Sequence, residues 1–298
     1  MSVGGENPTS VVFFVEGAAP NPRGLMGSWS FFGSVIGILL GSAVGALTSA
    51  VFSTAALAVW GWRVPFLLDL GIGLVGLYLR RHLPQGPTVQ ALEPAALSPV
   101  AEAFRTQWRG ILRVAGLNVL TALGFYLMVV YAVTYLEQIM HVRAATALDL
   151  NTVNMGVLLL VLPAAGALSD CIGRKPVLLG TALGTLVLAW PLFWLMHHPV
   201  LSLMLVGPLV FAVLLGLFIG VIPATMAEAF PARVRVTGVS LAYNLVLGLL
   251  GGTTPMIVTY LLAWSHNPLA PAYYLMGAAA VSLAVLMSWP ETIQVPLP

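Results

Sequence analysis

Long, uninterrupted apolar runs are the feature of this 298-residue chain that most limits the structures open to it. Hydrophobic residues make up 59% of the sequence and charged residues only 7%, and the mean hydropathy is +0.97. A soluble domain carries about a quarter charged residues, so a water-soluble fold could not bury this much apolar surface. In lipid every backbone polar group needs a partner within the protein, and runs of this length favour helices over the short alternating strands of a barrel.

A membrane-spanning helix needs about 20 largely apolar residues. The sequence therefore predicts an all-α, polytopic membrane helix bundle of about nine transmembrane helices. Eight of the predicted spans lie near 29–50, 63–80, 111–136, 150–169, 177–196, 201–227, 237–263 and 272–289. A ninth is predicted over residues 2–18, although it is shorter and carries Glu6 and Glu16.

The basic residues are distributed unevenly between the two sides of the membrane. With nine spans, ten of the twelve Lys and Arg residues fall on one side, and only Arg63 and Arg143 fall on the other. The positive-inside rule places the ten in the cytoplasm, which predicts a multi-pass protein of the bacterial inner membrane with a cytoplasmic C-terminus. Without the 2–18 span, residues 1–25 would form an apolar tail in water, so we keep that span.

A proline-rich stretch divides the chain into two parts. Pro84, Pro87, Pro94 and Pro99 predict an extended linker, and the segment 101–109 that follows reads as a basic amphipathic helix lying against the inner leaflet. The predicted organisation is an N-terminal helical unit over 1–81, a cytoplasmic linker over 82–109 and a C-terminal helical unit over 110–298.

An internal repeat at an offset of 212 residues crosses this linker. It pairs Glu16 with Glu228 and Arg23 with Arg235. Two charged matches in a chain with so few charges indicate related structural units in the two parts.

A short charged segment, Gly166-Ala-Leu-Ser-Asp-Cys-Ile-Gly-Arg-Lys-Pro176, joins two predicted spans. Its order resembles the loop signature that major facilitator superfamily transporters carry between the second and third helices of each six-helix half. The segments 23–29, 60–66 and 230–238 are similar to the metabolite:proton symporter branch of that superfamily. Members of this branch carry organic acids, osmolytes or related small solutes together with protons.

The resemblance covers the family's fourth to twelfth helices, so it implies a truncated chain that lacks the first three. Residues 1–81 would hold family helices 4–6, and residues 110–298 would form the C-terminal six-helix half. The implied function is secondary active transport of a small organic solute, an organic acid or osmolyte, with protons and by alternating access. The alternative is a transport-inactive membrane protein of the same fold.

The resemblance implies a gating role for the charged loop, and a second set of charged residues is predicted at the inner gate. The gating loop comprises Asp170, Gly173, Arg174 and Lys175, in which Asp170 would accept hydrogen bonds from the amides that begin the next helix. A plain positive-inside hairpin is the alternative for this loop. The inner-gate charges, expected to form salt bridges at cytoplasmic helix ends, are Glu16, Arg23, Glu228, Arg233 and Arg235.

Ionisable residues within spans are costly, so each one suggests a function. Glu6 and Asp69 are the candidates for a proton site, because burial of a carboxyl group favours its protonated form. Asp69 lies about two turns inside its helix, and the alternative is that it pairs with Arg63. A membrane-embedded enzyme would need catalytic side chains clustered at one depth, and only Glu6 and Asp69 approach this.

Polar residues on the predicted spans of the second part are candidates to line a solute path. These are Asn118, Tyr126, Tyr131, Asn154, Tyr243 and Asn244. Each could equally form an interhelical hydrogen bond. The sequence contains no nucleotide-binding, catalytic or metal-ligand motif, so we expect no enzyme activity, no cofactor, no metal and no nucleic-acid partner. The expected partners are a small solute, protons and the lipid bilayer.

Overall fold

The computed structural model describes residues 2–18, 22–82, 98–198, 200–293 and 296–297 of the chain. Within these ranges the secondary structure is helical. Pro84, Pro87 and Pro94 of the predicted linker lie outside the described residues.

Twelve α-helices are present in the described ranges, and we number them in chain order. They are α1 (Ser2–Glu16), α2 (Arg23–Val51), α3 (Thr54–Val59), α4 (Val64–His82), α5 (Pro99–Phe125), α6 (Ala132–Gln138), α7 (Ala144–Ile172), α8 (Arg174–Met196), α9 (Leu201–Glu228), α10 (Arg235–Val246), α11 (Gly252–Ser265) and α12 (Ala270–Met287). Short 3-10 turns at Gly61–Arg63 and Ala232–Val234 precede α4 and α10.

Two spans contain a π-helical turn. Tyr126–Tyr131 joins α5 to α6, and Leu247–Gly251 joins α10 to α11. The turns face each other, because a side chain at Gly251 would collide with the Tyr126 ring.

Seven helical segments among the described residues are long and apolar enough to cross a membrane. They are Arg23–Val51, Val100–Gln138, Thr146–Ile172, Arg174–Met196, Ser202–Glu228, Ala232–Ser265 and Ala270–Met287. The predicted polytopic helix bundle is confirmed. The helices α1 and α4, which we also expected to span, are not among the seven, and α1 has only 15 residues.

The segment 101–109, which we expected to form a basic amphipathic helix against the inner leaflet, lies in α5. Non-helical backbone angles at Gln107 (φ −121°, ψ 15°) kink α5 there, so a short helix precedes the kink and a longer one follows it. The boundary proposed at 109/110 lies just after this kink.

The helices form one bundle with a shared apolar core. In its C-terminal part, α9 packs on α7 and α8, α12 packs on α8 and α5, and α5 packs on α10. From the N-terminal part, α2 packs on α7 and α9, and α1 packs on α2, α9 and α10. By contrast, α4 packs on α2 and is exposed along most of its length.

Close helix crossings depend on glycine at a few positions. At the α7–α9 crossing, a Cβ atom at Gly220 would collide with the backbone carbonyl of Leu162. At Gly180 on α8, a Cβ atom would meet no atom within 4 Å. Small residues allow membrane helices to approach closely, so Gly220 fixes the separation of α7 and α9.

These two glycines predict opposite effects of the same substitution. We expect Gly220→Ala to lower the free energy of unfolding by about 1–3 kcal/mol, because overpacking a tight contact forces backbone shifts. Gly180→Ala should raise it by up to about 1 kcal/mol through helix propensity. Unfolding of both variants in detergent measures the difference, and equal stability of the two would contradict the assigned crossing.

Candidate functional site

Asp170, in the last turn of α7, connects that helix to the start of α2. Its Oδ1 accepts a hydrogen bond from the Gly24 amide and its Oδ2 accepts one from the Leu25 amide, both at 2.8 Å. The first N–H groups of a helix lack intrahelical partners and favour a negative charge. The sequence analysis expected Asp170 to bind the amides of the helix that follows it, α8. In the structure it instead links two distant parts of the chain.

Arg174 begins α8 with its side chain only 1% exposed. Its guanidinium donates to Asp170 Oδ1 at 2.7 Å, to Ser169 Oγ at 2.8 Å and to Glu228 Oε1 at 3.3 Å. The preceding Gly173 has φ +104°, a conformation that glycine adopts far more easily than other residues. Gly173 therefore allows α8 to begin directly after α7 ends.

Glu228, the last residue of α9, lies against arginines from two other helices. Its side chain is 2% exposed, and Oε1 contacts Arg174 and lies 3.8 Å from Arg23 Nη1. The Thr292 hydroxyl donates to Oε2. Buried charges persist only where they are paired and hydrogen-bonded. We refer to Arg23, Asp170, Arg174 and Glu228 as the ion cluster.

Two ion pairs cross between the N-terminal helices and the C-terminal part. Arg235 on α10 pairs with Glu16 on α1, and Arg23 on α2 lies against Glu228 on α9. In the 212-residue repeat Glu16 corresponds to Glu228, and Arg23 corresponds to Arg235. The repeat therefore relates the two ion pairs to each other: each residue of one pair corresponds to a residue of the other pair. A two-fold relation between similar units has this property.

Glu291 follows α12 and caps the start of α8. Its carboxylate accepts hydrogen bonds from the amides of Arg174 and Lys175 at 3.0 Å, and also from those of Thr292 and Ile293. Partial burial alone would raise the pKa of this carboxyl group, but the four backbone N–H groups together lower its pKa below 4.5. Glu291 and Thr292 thus attach the segment after α12 to the ion cluster.

The backbones of α2 and α7 touch beside the ion cluster. A Cβ atom at Gly24 would collide with the carbonyl of Gly166 and with Ser169, and one at Gly166 would collide with the carbonyl of Gly24. This contact brings the α2 amides within reach of Asp170. The bundle is therefore tightly closed at this end.

A cavity of about 640 Å³ lies between the N-terminal helices and the C-terminal part. Its walls come from α1, α2, α5, α7, α9 and α10, and include the π turns at Tyr126 and Leu247. The cavity lining on these helices lies about two turns from the ion cluster, at Leu162 on α7 and at Ile219 on α9. At 1.5 Å per residue, the cavity lies roughly 10–15 Å from the cluster, towards the middle of the bundle.

Aromatic rings and a few polar groups line this cavity. The rings belong to Phe14, Trp29, Phe31, Phe125, Tyr126 and Tyr243. Glu6 supplies a carboxylate, and no arginine, lysine or histidine belongs to the lining within the described ranges.

Three buried polar atoms on the lining residues have no hydrogen-bond partner in the described structure. These are Asn7 Oδ1, Ser30 Oγ and Thr121 Oγ1. The Asn7 amide nitrogen donates to the Tyr243 hydroxyl at 2.9 Å, which connects α1 to α10 across the cavity. These three atoms have almost no exposed surface themselves, so they lie within the wall beside the cavity, and unpaired buried polar atoms are costly.

The predicted solute-path residues fall in different places. Tyr126 and Tyr243 line the cavity, and Asn154 lines a small adjoining space. Asn118 is buried and donates to Val114 O and Met226 Sδ, while Asn244 donates to Ser240 O on another face of α10. The structure therefore brings only some of these side chains together.

The remaining predicted residues also separate. Glu6 lines the cavity, whereas Asp69 lies on the exposed surface of α4. The alternative pairing of Asp69 with Arg63 is not formed, since Arg63 donates to Val59 O and stacks on the Trp62 ring. Arg233 pairs with Glu102 at 3.0 Å, away from the ion cluster.

Sequence reasoning did not select several residues of the site. Glu291 and Thr292 lie after the last span, where a charged residue needs no explanation. Asn7 directly follows Glu6, and Thr121 lies one helical turn from Asn118. Their closeness to these two predicted residues could have identified both. A search for metal-binding groups of three or more His, Cys, Asp or Glu side chains finds none in the described part of the chain.

Comparison with known proteins assigns the chain to a family. A family model described as "Sugar (and other) transporter" matches residues 1–93 and 88–298. The chain belongs to this family. The predicted resemblance to the major facilitator superfamily is confirmed, and so are the prediction of a multi-pass membrane protein and the prediction that it is not an enzyme.

Relatives within the sugar (and other) transporter family include a "Proline/betaine transporter" of Escherichia coli (strain K12), which is 34% identical over 99% of this chain and 61% of its own length. A "Citrate-proton symporter" of Klebsiella pneumoniae is 32% identical over 95% of this chain and 64% of its own length. The chain thus spans somewhat less than two thirds of these relatives.

Solved transporters share the fold at low sequence identity. The proton:xylose symporter XylE, bound to 6-bromo-6-deoxy-D-glucose, superposes with a TM-score of 0.80 at 19% identity, covering 98% of this chain and 69% of that one. FucP in the outward conformation gives a TM-score of 0.69 at 13% identity, covering 95% and 72%.

The lowered pKa of Glu291 predicts a pH-dependent contribution to stability. A carboxyl group with a lower pKa in the folded state stabilises fully above its unfolded pKa, about 4.5, and loses this effect as the pH falls through the folded value. The stability difference between the wild type and Glu291→Gln should therefore be largest at neutral pH and shrink below about pH 4.5. Unfolding in detergent at several pH values measures it.

Glu137→Gln is the matched control, because Glu137 forms no hydrogen bond or ion pair among the described residues. Its stability should differ little from that of the wild type. A Glu291→Gln difference that is independent of pH would contradict the assigned cap.

Proposed function

We propose that this chain acts as a secondary active transporter that moves a small organic solute with protons by alternating access. The observation that carries the proposal is the aromatic cavity with three unpaired polar atoms, closed at one end by the ion cluster. Solute sites of such transporters lie near the membrane midplane between helical units. The family relationship supports the same function.

The moving units of the proposal are residues 1–81 and 110–298, with 82–109 as the connection. The ion pairs Glu16–Arg235 and Arg23–Glu228 cross between these units, so rocking one against the other would break them. We place the ion cluster and the C-terminus on the cytoplasmic side because ten of the twelve basic residues lie there.

The cavity favours an osmolyte with a cationic nitrogen over an organic acid. A dicarboxylate or tricarboxylate needs guanidinium or ammonium partners, and the lining residues supply none. Aromatic faces and one carboxylate suit a quaternary or secondary ammonium, and the hydroxyls of Ser30 and Thr121 could donate to the carboxylate of a zwitterion. The name of the proline/betaine relatives agrees with this choice.

Of the two proton-site candidates, we assign Glu6 to coupling. It is the carboxylate of the cavity, whereas Asp69 lies on the surface of α4. A proton taken up on Glu6 would be close enough to change how the cavity binds a charged solute.

Uptake into proteoliposomes tests the function and the coupling together. With the full chain and an inward proton gradient, we expect accumulation of glycine betaine or proline that an uncoupler abolishes, and none of citrate. Glu6→Gln should abolish accumulation above equilibrium, because the proton site is removed, while Asp69→Asn should retain it.

Loss of coupling in Asp69→Asn but not in Glu6→Gln would reverse the assignment. Citrate uptake would overturn the solute class. If no solute accumulates in a well-folded preparation, the transport-inactive alternative holds for this chain.

Asp170 predicts a measurable effect on gating. Asp170→Asn weakens the charged contacts to α2 and Arg174, so the ion-cluster end should open more often. In a Cys171→Ser background, which removes the exposed native thiol, Ser30→Cys provides a probe inside the cavity. Labelling of this probe from the cluster side should accelerate about tenfold, as expected for losing roughly 1.4 kcal/mol of charged hydrogen bonding.

The control for this experiment is Glu102→Gln, which breaks the peripheral pair with Arg233. It should leave the labelling rate unchanged. Equal rates in the wild type and Asp170→Asn would show that the loop is a plain hairpin without a gating role.

A further inference from the structure

Three exposed arginines form a row on the first part of α5. Arg109 and Arg113 are spaced by four residues, so they lie on one face of the helix after the bend at Gln107, and Arg105 lies just before that bend. The row begins before the bend at Gln107 and continues into the membrane-spanning part. The proposed transport function uses none of these residues.

The three guanidinium groups have no acidic partner among the described residues. The nearest carboxylate along the helix, Glu102, already pairs with Arg233 at 3.0 Å. Arg109 stacks over the Trp108 ring, with its Cζ atom 5.2 Å from the ring centroid. Within the described ranges, the row therefore presents positive charge that no carboxylate neutralises.

An apolar groove runs beside this row between α5 and α10. Phe104, Trp108, Leu112 and Ile111 form one wall, and Leu241 and Leu245 form the other, around a space of about 320 Å³. The groove continues along α10 through a space of about 450 Å³, which shares Leu241 and Leu245 and extends to Gly248 and Leu249.

Charge and groove are in register along α5. Each arginine directly follows a groove residue: Arg105 follows Phe104, Arg109 follows Trp108 and Arg113 follows Leu112. Arg109 borders the groove through its contact with the Trp108 ring, Arg105 and Arg113 adjoin groove residues along the chain, and the apolar space extends along α10.

The groove opens at the same end of the bundle as the ion cluster. The Glu102–Arg233 pair and the packing of Gly110 against Phe230 hold the start of α5 beside the end of α9. That end carries most of the basic residues, as expected where a membrane helix meets an anionic leaflet.

We propose that this groove binds an anionic phospholipid, with its phosphate on the arginine row and one acyl chain between α5 and α10. Guanidinium groups bind phosphate oxygens bidentately, and basic pockets between membrane helices bind anionic headgroups. A second copy packed symmetrically on this face would place three more unpaired arginines against the first three, so charge disfavours that occupant.

Lipid titration of the purified full chain, followed by native mass spectrometry, tests the proposal. The probes are phosphatidylglycerol and phosphatidylcholine with the same palmitoyl and oleoyl chains. The wild type should bind phosphatidylglycerol more tightly. R105Q/R109Q/R113Q should lose this preference by at least about tenfold, because each removed cation weakens attraction to an anionic lipid.

The charge-matched control is R63Q/R81Q/R143Q, which removes three arginines that lie away from the groove and should keep the preference. Gly248→Leu tests the groove itself, since a Cβ atom at Gly248 meets no atom within 4 Å and the larger side chain fills only open space. It should weaken retention of both lipids while preserving the preference for phosphatidylglycerol.

Equal preference in the wild type and the R105Q/R109Q/R113Q variant would overturn the site, and so would an equal loss in the control. Unchanged retention in Gly248→Leu would show that the lipid contacts only the arginines, which overturns the groove assignment. A dimer that disappears in Gly248→Leu would identify a second copy as the occupant.

Discussion

The contact between Arg174 and Glu228 is the interaction on which the arrangement of this bundle depends. Both side chains are almost fully buried, and a buried charge is costly unless it is paired and hydrogen-bonded. Satisfying them brings together the ends of α7, α8 and α9, the start of α2 and the segment after α12. The cost of desolvating two charges is thus offset by contacts that fix five separate parts of the chain.

The cavity and the ion cluster occupy different levels of the same helices, and they use different chemistry. The cluster relies on paired charges and on glycines that let backbones touch, whereas the cavity is walled by aromatic rings and leaves polar atoms unpaired. Charged pairs can separate and rejoin as water enters and leaves, while aromatic packing persists. In the alternating access that we propose, this division would let one end of the bundle change state around a cavity whose walls stay similar.

Much of the fold could be predicted because apolar length and charge placement act locally. Seven of the nine expected spans, the Gly166–Pro176 loop and the residues of both crossing ion pairs followed from the sequence. Other partners did not, since the Asp170 carboxylate accepts from the amides of α2 and not from those of α8, and Arg233 pairs with Glu102. Depth along a helix could be estimated for Asp69, but which side of α4 faces the bundle could not.

The two π-helical turns explain a further limit of periodicity in this chain. Each turn accommodates more than four residues, so the helix beyond it is rotated relative to an uninterrupted α-helix. Tyr126 and Leu247, which begin the turns, both line the cavity. A 3.6-residue period that assigns buried and exposed positions at the ion-cluster end of these spans therefore does not assign them correctly beyond the cavity. The helical periodicity of each span therefore has to be assigned separately on the two sides of its π turn, and the π turn lies beside the cavity.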